Sequence, residues 1–396
     1  MTENKSVKQM IGKVFIDIAD AIETGQFGAK IKVGLTTLGS EHGVDNLVKG
    51  AELAAKTSTD FDIVLIGPKV DTPLEIVEVN NEEEMHKKME ELLDSGYIKA
   101  CVTMHYNFPI GVSTVGKVIT PGMGREMFLA TTTGTSSAHR VEAMVKNAIY
   151  GIITAKAMGI ENPTVGILNL DGARQTEKAL KELNANGYPV NFSESMRSDG
   201  GAVMRGNDLL AGTVDVMVSD TLTGNIMMKV FSSYTTGGSY EALGYGYGPG
   251  VGEDYKRVIL ILSRASGVPV VANAIKYAAG LAKGDLVEVA AREFKKAREA
   301  KLDEILKGLS KDTKKAAQED EGEITAPPKE VVTGSISGID IMDLEDAVKA
   351  LWKAGIYAES GMGCTGPIVM IAEDKLQEAM RVLAKAGFVA QEGGIC

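Results

Sequence analysis

Between residues 5 and 23, Val7, Met10, Ile11, Val14, Phe15, Ile18, Ala19 and Ile22 recur at helical spacing among charged positions. That pattern predicts an amphipathic first helix, within residues 1–29, that docks on the body of the protein. Short apolar runs then occupy residues 31–35, 62–66, 100–103, 164–168, 214–218 and 258–262. Stretches of helical periodicity, such as residues 44–56, separate them. Strands that alternate with helices need crossover connections, so residues 30–285 are expected to form an α/β domain with a doubly wound, mostly parallel sheet. Residues 286–309 read as one long charged helix. The polar stretch 310–328, acidic in its second half and closed by Pro327 and Pro328, reads as a linker.

Beyond the linker, residues 329–396 repeat themselves with a period of 32. Thr333-Gly334-Ser335-Ile336 aligns with Thr365-Gly366-Pro367-Ile368, Leu344 with Leu376, Ala347 with Ala379, Leu351 with Leu383, and Lys353-Ala354-Gly355 with Lys385-Ala386-Gly387. Each copy reads strand, helix, strand, which predicts a small β-α-β-β-α-β domain of ferredoxin-like type. At the junction of the copies stands Gly361-Met362-Gly363-Cys364-Thr365-Gly366-Pro367, expected to be the hairpin between the second and third strands.

Composition narrows the function. The 396 residues carry 42 Lys and Arg against 53 Asp and Glu, a net charge of −11. An acidic chain is no general nucleic-acid binder and must hold an anion through a local cluster of donors. No run approaches the roughly 20 apolar residues that span a bilayer, and the N-terminus lacks a basic stretch leading into an apolar one, so a cytoplasmic protein is expected. Three widely spaced cysteines, Cys101, Cys364 and Cys396, build neither a disulfide framework nor a zinc site. Any role for them is as thiols.

In wound sheets ligands bind at loops after the carboxyl ends of strands. Six such loops are readable: residues 36–40, 105–107, 131–137, 169–172, 220–225 and 263–266. Four of the six carry Ser or Thr, and three of those four set a Gly among the hydroxyls, a composition suited to a small oxyanion. Candidate anion ligands are Thr135, Ser136 and Arg140, then Thr223, Gly224 and Asn225 at the start of a helix, and Arg264 with Ser266. Each has a plainer reading as well: a polar loop for residues 131–137, a helix cap for residues 220–225. His42 and His105 lie in loops of the same kind, His86 on a charged helix, and all three read as ordinary solvated or satisfied residues. The run Gly244-Tyr245-Gly246-Tyr247-Gly248-Pro249-Gly250-Val251-Gly252 lacks the strand and helix context of a dinucleotide fingerprint and reads as a mobile loop near the site.

Cys101 falls within an apolar run and reads as core. Cys364 has two readings, a small buried residue or a nucleophilic, acyl-carrying thiol on a permissive tip. The crowd of Gly361, Gly363 and Gly366 favours the second. Gly363, Thr365 and Gly366 would then support the tip and supply backbone donors to an oxyanion. No neighbouring base is evident to activate the thiol, and Cys396 reads as a free terminal one.

From residue 30 to 285 the chain resembles the phosphate acyltransferases of phospholipid synthesis, which are related in fold to phosphotransacetylases and isopropylmalate dehydrogenases. The resemblance is carried by Pro163-Thr164-Val165-Gly166-Ile167-Leu168-Asn169, by Val214-Asp215-Val216-Met217-Val218-Ser219-Asp220 with Thr223-Gly224-Asn225, and by Ala274-Ile275. Where those enzymes have a His-Gly-Ser-Ser-like loop, this chain has Ser263-Arg264-Ala265-Ser266, and they lack the tail. Over its whole length, including residues 361–370 and Glu392-Gly393-Gly394-Ile395-Cys396, the chain more closely resembles the smaller, alpha subunits of component C of the glycine/sarcosine/betaine reductase complex.

That resemblance implies a larger beta subunit as partner, oligomeric assembly, and a selenoprotein, component A, that delivers a carboxymethyl group. The two-carbon unit would become an acetyl thioester, here on Cys364, and leave as acetyl phosphate with inorganic phosphate as substrate. No tightly bound cofactor and no metal are implied. Two alternatives stay open: a phosphate acyltransferase that uses acyl-carrier-protein or coenzyme A thioesters, and a noncatalytic scaffold subunit.

Overall fold

The computed structural model describes residues 30–197, 200–309, 325–339, 343–363 and 366–389, together with residues 12, 15, 18, 19 and 22; the side chains of residues 362–366 are not described. The described N-terminal positions are helical, as their spacing predicts. Phe15 and Ile22, however, are 66% and 79% exposed, so at these positions the apolar face is not covered by the body of the chain.

Twelve strands form one sheet. They are β1 (Ile31–Thr36), β2 (Phe61–Gly67), β3 (Glu75–Glu78), β4 (Ala100–Thr103), β5 (Val112–Ile119), β6 (Glu126–Thr135), β7 (Thr164–Leu168), β8 (Asn191–Phe192), β9 (Val203–Met204), β10 (Val216–Val218), β11 (Gly248–Gly252) and β12 (Ile259–Ile261). The order is β3-β2-β1-β4-β12-β11-β5-β6-β10-β7-β8, with β9 also on β7. Parallel pairing holds from β3 to β12 and again from β6 to β8. Between the two blocks, β12 with β11, β11 with β5 and β5 with β6 are antiparallel. Three reversals in succession make the two parallel halves run in opposite directions. The predicted mostly parallel sheet is present, but the strand-end loops do not share one edge. Those at residues 36–40, 105–107 and 263–266 follow one half; those at 131–137, 169–172 and 220–225 follow the other.

Helices cover the sheet: α1 (Gly43–Thr57), α2 (Glu82–Asp94), α3 (Arg140–Ala157), α4 (Ala173–Ala185), α5 (Gly206–Ala211), α6 (Thr221–Ser233), α7 (Val268–Lys283) and α8 (Leu286–Glu299). The apolar strands bury Val33, Leu35, Val102, Val165 and Val216 against α3 and α7, and residues of both halves share one core. Cys101 is buried in a second cluster with Ile98, Val64 and Ile259, and burial pushes its thiol far above the usual range. Two readings are corrected here. The charged helix breaks after Glu299, where Lys301 takes a left-handed φ of 67°, and resumes over residues 302–309. The Gly-rich run is no mobile loop: Gly248–Gly252 is the buried central strand β11. Small residues are what fit there, since a Cβ on Gly250 would stand 2.3 Å from the Phe108 ring and one on Gly248 would meet the Val115 carbonyl.

The tail has its own core. Strands β13 (Gly334–Ser337), β14 (Ala358–Gly363) and β15 (Gly366–Ile371) pair antiparallel in the order β13-β15-β14, with α9 (Leu344–Lys353) and α10 (Leu376–Ala386) packed on them. Repeat-related Ala347 and Ala379, and Leu351 and Leu383, are all fully buried, so both copies present matching positions to one core. The final strand expected of a ferredoxin-like domain falls within residues 390–396, outside the described residues. Gln175 on α4 donates to the Asp343 carboxylate before α9, at 3.2 and 3.3 Å, which ties the tail to the main domain.

Candidate functional site

A crevice of about 270 Å³ opens at the end of β12. Ser263 and Arg264 line it from the loop after that strand, Asn225 and Lys229 from α6, Thr133 from β6, Tyr247 from just before β11, and Glu41 from the loop after β1. The two α6 residues are one helical turn apart and so share a face. Helix α6 begins at the carboxyl end of β10 but runs back along β5 and β6, which brings its flank to the opposite half's strand ends.

The loop over residues 263–267 is held by its backbone. Glu41 N donates to Arg264 O at 2.9 Å, Asn46 Nδ2 to Ser266 O at 2.9 Å, and Glu241 N to Ala265 O at 3.0 Å. Gly267 N returns a bond to Glu241 O at 2.8 Å. With the main chain fixed, the exposed Arg264 guanidinium has no hydrogen-bond or ion-pair partner among the described residues. Lys229 is 57% exposed, lies 5.7 Å from the Tyr247 ring centroid and 3.8 Å from a Glu241 carboxylate oxygen. Asn225 spends its amide nitrogen on Thr132 O at 3.0 Å.

Glu241 lies behind this wall and is only 3% exposed. Burial pushes its carboxyl above the ordinary range, against the pull of hydrogen bonds from Ser263, Tyr247 and Ser266 and of the Lys229 charge. The Tyr247 hydroxyl stands 3.3 Å away and the Ser266 hydroxyl 3.4 Å. Ser266 is thereby corrected from a ligand candidate to a buried support, because its hydroxyl is turned to Glu241 and has no exposure.

The other predicted ligands cluster at the opposite edge, where they neutralise one another. Arg140 reaches Asp171 at 3.3 Å and Asp220 at 3.0 Å. Asp220 accepts from Thr223 N at 3.0 Å and from the Thr223 hydroxyl at 2.8 Å, closing the N-terminus of α6 as a side-chain cap. Its burial raises the carboxyl, but the Thr223 bonds and Arg140 outweigh that and hold it below the usual carboxylate range. Ser136 is buried and bonded to Asn147 at 2.6 Å. An anion here would have to displace two carboxylates, so the single pocket expected from Thr223, Arg264, Thr135, Ser136 and Arg140 does not exist.

Thr135 ends β6 opposite Val112. Gly224 is a packing glycine: a Cβ on it would lie 1.9 Å from the Thr131 carbonyl. In the tail, Gly363 pairs with Gly366 at the ends of β14 and β15, as the hairpin reading requires; Cys364 and Thr365 between them, and Cys396, lie outside the described residues.

Lys229 and Glu241 were not read from the sequence, whereas Tyr247 belongs to the Gly-rich run expected near the site. Lys229 was findable, four residues beyond Asn225 on the same helix face. Glu241 carries no local signal. A larger cavity of about 530 Å³ is rimmed by Glu142, Glu253, Asp254 and Asp303 against Lys146 and Lys307, and Lys146 is already bound to Glu142 at 2.7 Å. Its charge is wrong for an anion, so the smaller crevice is the candidate.

A profile of the fatty acid synthesis protein family matches residues 31–370, through the sheet and into the tail. Glycine/sarcosine/betaine reductase complex component C subunit alpha of Peptoclostridium acidaminophilum is 76% identical over 371 residues, 94% of this chain and 96% of that protein. The chain belongs to the fatty acid synthesis protein family and, within it, to the component C alpha subunits. A more distant relative is the phosphate acyltransferase of Thermotoga petrophila, 28% identical over 239 residues that span 50% of this chain and 67% of that one. A branched-chain phosphotransacylase from Enterococcus faecalis aligns with 63% of this chain and 99% of its own at 16% identity and a TM-score of 0.43. Among the described residues, no helix of this family member is long and apolar enough to cross a membrane.

Proposed function

We propose that this chain is the acyl-transfer subunit of a glycine/sarcosine/betaine reductase complex, carrying an acetyl group as a thioester on Cys364 and releasing it to inorganic phosphate as acetyl phosphate. Its partners in this reading are the larger beta subunit of component C and the carboxymethylated selenoprotein component A. The observation that carries the chemistry is the Arg264 guanidinium, unpaired among the described residues and set in one crevice with Lys229. Two cations on a fixed wall neutralise the phosphate oxygens and hold one of them for attack. Attack on the thioester carbonyl forms the new C–O bond, and collapse of the tetrahedral intermediate breaks the C–S bond. The proton of hydrogen phosphate ends on the Cys364 sulfur, so atoms and charge balance. A thiolate leaves with little proton assistance.

Incubation with acetyl phosphate runs this last step backwards. Intact-mass and peptide mapping of the chain, alone and with the beta subunit, is expected to find one acetyl group on Cys364 that arsenate discharges, and none in Cys364→Ser. No acetylation in either form refutes the thioester assignment. Acyl phosphate made from a soluble thioester at an unchanged rate in Cys364→Ser would instead favour an acyl-carrier-protein or coenzyme A phosphate acyltransferase.

A further inference from the structure

The main chain and the side chain of Glu241 serve different parts of the crevice. Its N–H and C=O hold the Arg264 loop, through Ala265 O at 3.0 Å and Gly267 N at 2.8 Å. Its carboxylate turns to the other cation. Oε1 lies 3.8 Å from the Lys229 ammonium and 3.3 Å from the Tyr247 hydroxyl, and Oε2 lies 3.4 Å from the Ser266 hydroxyl. Lys229 is the only cation that pairs with it among the described residues. Arg264 and Glu41 line the same crevice without an ion pair to Glu241 among those residues, and His42 meets the loop at Ala265 O, 3.3 Å away. Tyr247 stays neutral, because burial and the Glu241 charge push its hydroxyl far above the usual range.

Lys229 thus stands between two anions, a buried carboxylate behind the wall and whatever oxyanion enters in front of it. Its side chain is 57% exposed and carries the ammonium on a flexible stem, so it can turn from one to the other. Without the ammonium, the Glu241 carboxylate keeps only hydroxyl partners, and burial then favours its protonated form. We propose that Glu241 competes with the oxyanion for Lys229, so that filling the crevice moves the ammonium to the oxyanion and a proton from solvent to Glu241. Charge behind the wall stays balanced, since a proton replaces the cation that leaves. The form with Glu241 protonated binds the oxyanion better, so by linkage binding takes up a proton. The inference rests on the phosphate reading of the crevice and adds Glu241 to it as a positioning residue that acts through Lys229.

The test is calorimetric titration of the full chain with inorganic phosphate at about pH 7, above the ordinary carboxylate range, in buffers of different ionisation enthalpy. This gives affinity and proton uptake together, and phosphate's own ionisation cancels in the differences between variants. Glu241→Gln keeps the shape but neither holds the ammonium by charge nor takes a proton. It is expected to bind phosphate ~5-fold more tightly than the wild type and to take up fewer protons. In Lys229→Gln, which should bind more weakly, adding Glu241→Gln should change neither quantity, as a coupled pair requires. Lys229→Gln alone should also lose the wild type's extra proton uptake, which keeps the question answerable should Glu241→Gln fail to fold. A merely structural role for Glu241 predicts weaker binding in Glu241→Gln. Weaker or unchanged binding there, or proton uptake equal to that of the wild type, overturns the inference and spares the phosphate site. Absence of phosphate binding by the wild type removes the phosphate reading and this inference with it.

Discussion

Replacing Gly224 by Ala sets two physical effects against each other. In an exposed helix Ala is better than Gly by about 1 kcal/mol, because Gly gives up more backbone freedom on folding. At Gly224, however, the new Cβ would lie 1.9 Å from the Thr131 carbonyl oxygen and 3.0 Å from the Ser219 hydroxyl. The first of these is strand backbone in the middle of the sheet and cannot turn aside. Helix α6 must therefore retreat by roughly 1.5 Å to restore ordinary contact, which loosens the buried Met228 and Phe231 beneath it. Overpacking of this kind costs about 1–3 kcal/mol, so after the propensity gain a net loss of about 2 kcal/mol is expected. Gly308, exposed in the helical stretch 302–309 with nothing within 4 Å of its would-be Cβ, is the control, and Gly308→Ala should gain about 0.5 kcal/mol. The single tryptophan, Trp352, sits in the tail, so urea unfolding is best followed by circular dichroism, which reports the sheet and helices of the main domain as well. Should Gly224→Ala be as stable as wild type, or gain like Gly308→Ala, the close approach of α6 to β6 is refuted.

Two further substitutions test the charge networks. Glu293 on α8 is 1% exposed, and burial would raise its carboxyl, yet Lys156 at 2.6 Å and Lys296 at 3.0 Å pull it below the ordinary range. Glu293→Gln leaves the half-buried Lys156 uncompensated and should cost about 3 kcal/mol in urea unfolding; a loss under about 1 kcal/mol would mean the pair is solvated after all. Asp220 is likewise depressed in the folded state, so its stabilisation is complete above the unfolded carboxyl value of about 3.9 and is lost as pH falls through the lower folded value. Asp220→Asn should be about 1–2 kcal/mol less stable than wild type at neutral pH, with the gap closing below about pH 4; a gap independent of pH would refute the account.

Local pattern was enough for much of this protein. Period-2 and fully apolar runs between helical stretches place β1, β2, β4, β7, β10 and β12, because burial on both faces demands continuous apolar sequence. The 32-residue period places the tail's matched helices, because two copies that share a core must present the same positions to it. The component C resemblance was legible too, since it is written in residues rather than in packing. What the sequence could not decide was direction and neighbourhood. Strand β11 is Gly-Pro-Gly-Val-Gly, with almost no side chains to show a pattern; it is a strand because β12 and β5 pair with it, and Val115 and Phe108 approach too closely for anything larger. With β5 it reverses the second half of the sheet, so loops that look alike in sequence end at opposite edges. Arg140 and Arg264 both follow a strand end in a Ser/Thr-rich loop, yet two carboxylates brought in by α6 and the 169–172 loop cancel one, and a backbone-pinned loop leaves the other without a partner among the described residues. Charge in a sequence is a property of single residues, whereas an anion site depends on which charges remain after folding has paired the rest.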